Sequence, residues 1–511
     1  MPHTLTIDGE HLTLESLDLI ARGDARLALG DGARRSVAAS RARLESIMSS
    51  GHAVYGANTG FGALSDVRIP PADIEQLQAN LIRSHCAGVG EPLPATVVRA
   101  VIALRANVLA RGHSAVRVEL VEALLSLYNA GIVPCIPSRG SVGASGDLAP
   151  LAHLGLALMG EGDVVLQGAK VAAAEALRRA GLKPLTLASR EGLALVNGTQ
   201  VMTASGALTL LRAESLMTHA DIAGAMTLEG LLGSARPFDA RLAQLRPHPG
   251  HASVAFNLRA LLEGSGIMES HRNCGRVQDA YSLRCMPQVH GAARDALAYA
   301  RRVLEVEVNA VTDNPLFFLD DGESIPCGNF HGAPVAQAMD LVCLALADVA
   351  SISERRGERL VNPAMSGLPA FLAPNPGLES GFMMSQVTAA ALASESKTLA
   401  TPASVDSIPT GAGKEDHVSM GVGAALKAVV VASNYETILA IEMMAAARAI
   451  DLRRPLRSSP ALEAVHAVLR SKVPPLERDR SLSQDIEAIG ALIGSGEIRR
   501  AAETTLVAAL K

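Results

Sequence analysis

The chain has 511 residues, 49% of them hydrophobic and 19% charged, and its net charge is −5 with neither sign clustered. That balance argues against a nucleic-acid or anionic-membrane partner, while the surplus of apolar residues calls for large buried interfaces between subunits. Six cysteines (Cys86, Cys135, Cys274, Cys285, Cys327, Cys343) occur without a Cys-x-x-Cys pair, which argues against a zinc ribbon or disulfide framework and fits a reducing cytosol.

The opening Met1-Pro2-His3-Thr4-Leu5-Thr6-Ile7-Asp8 lacks a basic region followed by an apolar core, so no signal peptide is expected. No uncharged apolar run approaches the ~18 residues of a membrane span, so a soluble, cytoplasmic protein is expected. Val54-Tyr55-Gly56-Ala57-Asn58-Thr59-Gly60-Phe61-Gly62 reads as a glycine-rich loop around one of only five tyrosines. Tyr55 either packs at the loop base or stands free for chemistry. Ser84-His85 follows, ahead of Cys86-Ala87-Gly88-Val89-Gly90-Glu91-Pro92.

The least ordinary stretch is Gly140-Ser141-Val142-Gly143-Ala144-Ser145-Gly146-Asp147-Leu148-Ala149-Pro150, just before an apolar helix over 151–159. Glycine permits approaches that a Cβ blocks. Under such compression the Gly146 nitrogen can attack the Ala144 carbonyl carbon. Loss of two waters, one carrying off the Ser145 hydroxyl, then leaves an electrophilic methylidene-imidazolone. A glycine-rich turn is the plain alternative. A serine-hydrolase elbow needs Gly-x-Ser-x-Gly, and Asp147 stands where its second glycine belongs.

Asn197 follows in Glu191-Gly192-Leu193-Ala194-Leu195-Val196-Asn197-Gly198-Thr199-Gln200, and Asn-Gly pairs commonly make turns. Long helices are predicted over 205–232, 292–310, 337–353 and 427–452, with Pro455 stopping the last. The third is apolar nearly all round and is expected to be buried. At 1.5 Å per residue such rods are ~30 to 40 Å long, and several in one chain imply a bundle. His248 and His251 are a close pair without helical His-x-x-x-His spacing, so no metal is expected. In Val277-Gln278-Asp279-Ala280-Tyr281-Ser282-Leu283-Arg284, helical spacing puts Gln278 and Tyr281 on one face with Arg284 further round, and Arg284 offers a carboxylate fork. Phe330 lies in Gly328-Asn329-Phe330-His331-Gly332, Met383 in Ser380-Gly381-Phe382-Met383, and Glu415 in Lys414-Glu415-Asp416-His417-Val418-Ser419-Met420.

These blocks together resemble the aromatic amino-acid ammonia-lyases, from Tyr55 through 401–420. The resemblance implies a mainly α fold of the ammonia-lyase/fumarase-like type, a long central helical bundle with a loop-rich N-terminal lobe. The divisions expected are a lobe over 1–200 carrying the cofactor loop, a bundle over 201–455 and a C-terminal helical layer over 456–511. It implies 4-methylidene-imidazol-5-one made autocatalytically from Ala144-Ser145-Gly146, with Ser145 becoming 2,3-didehydroalanine, and no metal or nucleotide. It also implies that Tyr55 abstracts the β-proton, that Arg284 and Asn197 hold the substrate carboxylate, and that Gln278 and Tyr281 line the cofactor pocket. Phe330 lines the substrate site, Met383 packs the ring, and a homotetramer draws each active site from several subunits.

Members of this family divide by the groups that read the substrate ring. Glu415 can accept an imidazole N–H, and a phenyl ring would leave that carboxylate unpaired. His85 and Glu415 match the histidine-specific members, implying conversion of L-histidine to trans-urocanate and ammonia, the first step of histidine degradation. The alternative is a tyrosine ammonia-lyase or aminomutase with the same self-made cofactor. Ala280 replaces a proline common in the histidine-specific members. Gly413-Lys414 replaces an Asn-Gln pair, and Lys414 is placed to pair with Glu415.

Overall fold

The computed structural model describes residues 3–319 and 323–511, so Met1 and Pro2 of the opening segment lie outside the described residues. Among these residues there are 21 α-helices and only nine short strands, gathered in four small sheets. The chain is mainly α, as expected. It divides into two compact units. The first comprises Met1–Leu208, Arg301–Asp340 and Pro402–Leu426, and the second Thr209–Ala300, Leu341–Thr401 and Lys427–Lys511.

In the first unit, strand His3–Ile7 pairs in parallel with Ala25–Leu29, His3 opposite Ala25. The helix between them, Leu14–Arg22, starts where Thr13 Oγ1 accepts from the Ser16 amide at 3.1 Å and stops at left-handed Gly23, the usual cap chemistry of the two ends. It packs on Ala95–Ala110, a helix buried all round and therefore without an amphipathic stripe. Three further helices, Ile74–His85, Leu148–Leu158 and Glu191–Val196, pack against one another. Their ends carry the chemistry. His85 closes the first, Asp147 precedes the second and Asn197 ends the third.

The second unit buries charge. Arg356 donates to Glu442 through Nε at 2.5 Å and Nη2 at 2.9 Å, and Thr227 and Ser353 donate their hydroxyls to the same carboxylate. Beside them Asp221 receives His290 at 2.8 Å and Arg294 at 2.7 Å. Burial alone would raise the Asp221 carboxyl, but these two partners outweigh it and hold it below the usual range. Arg356, Glu442 and Asp221 are thus each paired, as the desolvation cost of a buried charge requires.

The four predicted long helices are Gln200–Gly230, Met286–Glu307, Ala333–Val361 and Gly421–Leu452. Each starts four to six residues before its predicted beginning. Gly421 and Gly423 are weak helix formers, and burial of the surrounding apolar residues overrides them. Ala333–Val361 and Gly421–Leu452 are long and apolar enough to cross a membrane by length and composition, yet 61% of each apolar window is buried inside the protein, as in a core helix.

Candidate active site

The Ala144-Ser145-Gly146 segment folds back on itself. Ser145 adopts φ 49° and Gly146 φ 78°. A left-handed serine is uncommon and costs about 1–3 kcal/mol, so the surroundings must impose it. They do so through residues 197–202. Gly198 N–H donates to the Ser145 carbonyl at 3.3 Å, and Asp147 N–H donates to the Gly198 carbonyl at 2.7 Å. A Cβ on Gly146 would stand 2.2 Å from the Gly198 oxygen, so no other residue fits there. Asp147 is fully buried and accepts from the Val201 and Met202 amides at 2.7 and 3.0 Å. It thereby caps Gln200–Gly230 rather than the helix it precedes. Burial pushes its carboxyl up to about 7, against the lowering by those amides. Ser141 Oγ donates to the Gly146 carbonyl at 3.3 Å and Met420 N–H to the Val142 carbonyl at 2.9 Å, closing the other side.

A cavity of about 480 Å³ opens over this segment, lined by His85, Ala144, Gly146, Thr410 and Glu415 among others. Ser145 Oγ donates to Glu415 Oε1 at 3.4 Å, and Thr410 Oγ1 donates to Glu415 Oε2 at 2.6 Å. Reciprocal backbone bonds between Thr410 and Glu415 fix the turn. His85 Nδ1 lies 3.1 Å from Ser84 Oγ. Burial lowers the His85 pKa, only partly opposed by the Leu81 carbonyl and Glu415, so a neutral imidazole faces the cavity. Lys414 is exposed and forms no ion pair among the described residues, contrary to the expected pairing with Glu415.

Asn197 is buried and donates Nδ2 to the Asn314 carbonyl at 2.9 Å. Tyr55, half-buried, lines a different cavity of about 650 Å³ with Arg43 and His52. Its hydroxyl accepts from Gly62 N–H at 3.2 Å, and its ring meets Phe61 edge-on at 6.5 Å. Gln78 ties this loop to the third of the packed helices, donating to the Gly56 carbonyl at 3.2 Å and accepting from Gly192 N–H at 2.8 Å. Phe330 is half-buried in the turn before Ala333–Val361, next to His331, whose ring stacks on His417 at 5.9 Å.

The remaining expected residues belong to the second unit. Gln278, Tyr281 and Arg284 do not share a helix. Gln278 is exposed in an irregular stretch, and only Tyr281–Arg284 is helical. Asp279, next to Gln278, accepts from Ser234 N–H at 2.6 Å and from Arg276 at 3.2 Å, which ties this stretch to the chain just past the end of Gln200–Gly230. The Arg284 guanidinium lies 4.6 Å over the Tyr281 ring, and its buried Nε has no partner among the described residues. Met383 is half-buried at the start of Met383–Leu399, where Asp479 accepts from the Ser380 and Gly381 amides at 2.8 and 2.9 Å. Thr410 and Asp479 carried no signal in the sequence. Asp147 did, as an acid ahead of an apolar run, though that pattern points to the wrong helix.

A profile of the aromatic amino acid lyase family matches residues 12–471. The chain belongs to that family. This lyase is 57% identical to a histidine ammonia-lyase of Anaeromyxobacter dehalogenans over 97% of its own length and 99% of the relative's. The crystal structure of histidine ammonia-lyase from Trypanosoma cruzi matches it with a TM-score of 0.91 at 43% identity, covering 98% and 95% of the two chains. A tyrosine aminomutase from Streptomyces globisporus matches with a TM-score of 0.93 at 40% identity, covering 99% and 100%. The mainly α fold is therefore shared across members whose names carry different substrates, and the fold alone does not choose among them.

Proposed function

We propose that this enzyme removes ammonia from L-histidine to give trans-urocanate, the opening step of histidine degradation. The observation that carries the reading is Glu415 facing Ser145 at 3.4 Å in the cavity that His85 lines. A carboxylate held by Thr410 at 2.6 Å is set to accept an imidazole N–H. The neutral His85 supplies a second polar partner for the same ring. A phenyl ring would satisfy neither, and a desolvated carboxylate left unpaired is costly. The histidine ammonia-lyases among its relatives support the same substrate.

Ala144, Ser145 and Gly146 fit the self-made methylidene-imidazolone. The left-handed Ser145 and Gly146 turn the tripeptide back on itself, and the Gly198 carbonyl leaves room for hydrogen only at Gly146. Once formed, that ring supplies the electrophile that lets the amine depart. The side chains do the rest. Tyr55 takes the β-proton through its hydroxyl. Arg284, with an unpartnered Nε, and Asn197 hold the carboxylate. Fixing both ends of the substrate supplies several kcal/mol of barrier reduction, roughly, through orientation.

Gln278 and Tyr281 border the cofactor, Phe330 the substrate, and Met383 packs the ring. Tyr281, 70% exposed in the single chain, fits a surface that a neighbouring subunit covers. A cytoplasmic homotetramer whose active sites draw on several subunits accommodates all of these residues.

The test is to incubate purified protein with L-histidine, L-tyrosine and L-phenylalanine separately, following the ultraviolet band of each conjugated product. Urocanate from histidine alone supports the reading. A cinnamate-type product or a β-amino acid from tyrosine instead would assign the tyrosine alternative.

A further inference from the structure

Arg105 is a fully buried guanidinium in the first unit that the proposed chemistry leaves unused. It sits on the helix Ala95–Ala110, is fully buried, and makes no ion pair among the described residues. Burying a guanidinium without a carboxylate in contact is expensive: burial pushes its pKa down to about 10, and attraction from Asp313 offsets this only in part, with Arg190 opposing it. Its Nη1 donates to the Asn197 carbonyl and, at 3.0 Å, to Gln200 Oε1. The Asn197 carbonyl and the Gly198 N–H belong to one peptide group, and that N–H donates to the Ser145 carbonyl at 3.3 Å. The guanidinium is thus the head of an unbroken chain, Arg105 to peptide 197–198 to Ser145. Polarisation adds along such chains in a dry interior. Gly198 takes φ 138°, and a Cβ there would stand 2.9 Å from Arg105 Nη1, so the contact depends on glycine.

We propose that Arg105 is a positioning residue for cofactor formation, orienting and polarising the peptide that grips Ser145. The inference rests on the reading that Ala144-Ser145-Gly146 cyclises. In that reaction the Gly146 nitrogen–Ala144 carbon bond forms. The Ala144 carbonyl oxygen leaves as water with the protons of the Gly146 and Ser145 amides. The Ser145 hydroxyl leaves as a second water with the Ser145 Cα proton. The Ser145 carbonyl stays in the ring, so a donor held on it draws electron density from the adjoining Gly146 amide, making its proton easier to lose, and keeps the segment folded.

The full chain is produced by cell-free synthesis and its intact mass followed in time, with Ser145→Ala as the unreacted standard. Arg105→Lys keeps the charge but loses the planar fork, and Arg105→Met loses both. Leu104→Ala, a buried neighbour on the same helix, controls for lost stability. The expected result is loss of two waters by the parent chain, slowed about 10-fold in Arg105→Lys, the size of one weakened bond to a charged group. Arg105→Met slows it further, while Leu104→Ala proceeds at the parent rate despite a lower melting temperature. Where Arg105→Met does not fold, Arg105→Lys against Leu104→Ala decides. Parent-rate water loss in Arg105→Lys, or equal slowing in Leu104→Ala, overturns the role of Arg105. A parent chain that never loses water overturns the cyclisation itself.

Discussion

The Ser145 hydroxyl and the Glu415 carboxylate, 270 positions apart in the chain, meet at 3.4 Å. In the proposed reaction the residue that gives the electrophile and the residue that reads the substrate ring are therefore neighbours, an arrangement that would fix the substrate's orientation before any reaction.

Replacing Glu415 with Gln keeps the shape and removes the charge. Bonds to charged groups are worth roughly 1.5–3 kcal/mol, so kcat/KM for L-histidine is expected to fall about 10- to 150-fold. Steady-state urocanate formation measures it. An unchanged kcat/KM would remove Glu415 from substrate recognition.

Tyr55→Phe removes the proposed base along with one bond from Gly62 N–H. A lost general base costs about 10²- to 10⁴-fold. The loss is expected in kcat with KM nearly constant, because the hydroxyl acts on the β-proton and not on the anchoring groups. A variant whose KM rises while kcat holds would make Tyr55 a binding residue.

Gly146→Ala puts a methyl group 2.2 Å from the Gly198 oxygen at φ 78°. The chain is expected to retain the mass of both waters and to be inactive. Peptide mass spectrometry over 140–150 reads this directly, and a fully dehydrated variant would contradict the tight fold-back described for the tripeptide.

Asp147, pushed up to about 7 by burial, sets a pH dependence. An unfolded aspartate ionises near ~3.9. Between that value and about 7 the folded protein keeps a proton the unfolded chain has released, so this group lowers stability as pH rises through the window. Asp147→Asn keeps an acceptor for the Val201 and Met202 amides and cannot ionise. Its melting-temperature advantage over the parent is expected to be larger at pH 8 than at pH 5, because the penalty on the parent grows from ~3.9 up to about 7. Parallel melting curves at both pH values would show that Asp147 is ionised in the folded state.

The mainly α fold and the long helices were legible because their apolar runs exceed any turn or strand. The fold-back at Ala144-Ser145-Gly146 was legible as a glycine-rich turn, while its reading as a cofactor segment came from the family resemblance of the longer block. Helix starts were not, since buried helices carry no amphipathic edge to mark where they begin. The non-helical backbone at Gln278 leaves no mark in the residue spacing, and its neighbour Asp279 bonds to Ser234, a partner visible only in three dimensions. Arg105 and Thr410 act through backbone atoms and one carboxylate, contacts that leave no pattern along the chain.

The most direct measurement is urocanate formation from L-histidine by the parent protein and by Ser145→Ala at equal concentration and equal thermal stability. The account predicts steady production by the parent and none above background in the variant. Equal rates in both would contradict a reaction built on the Ala144-Ser145-Gly146 electrophile.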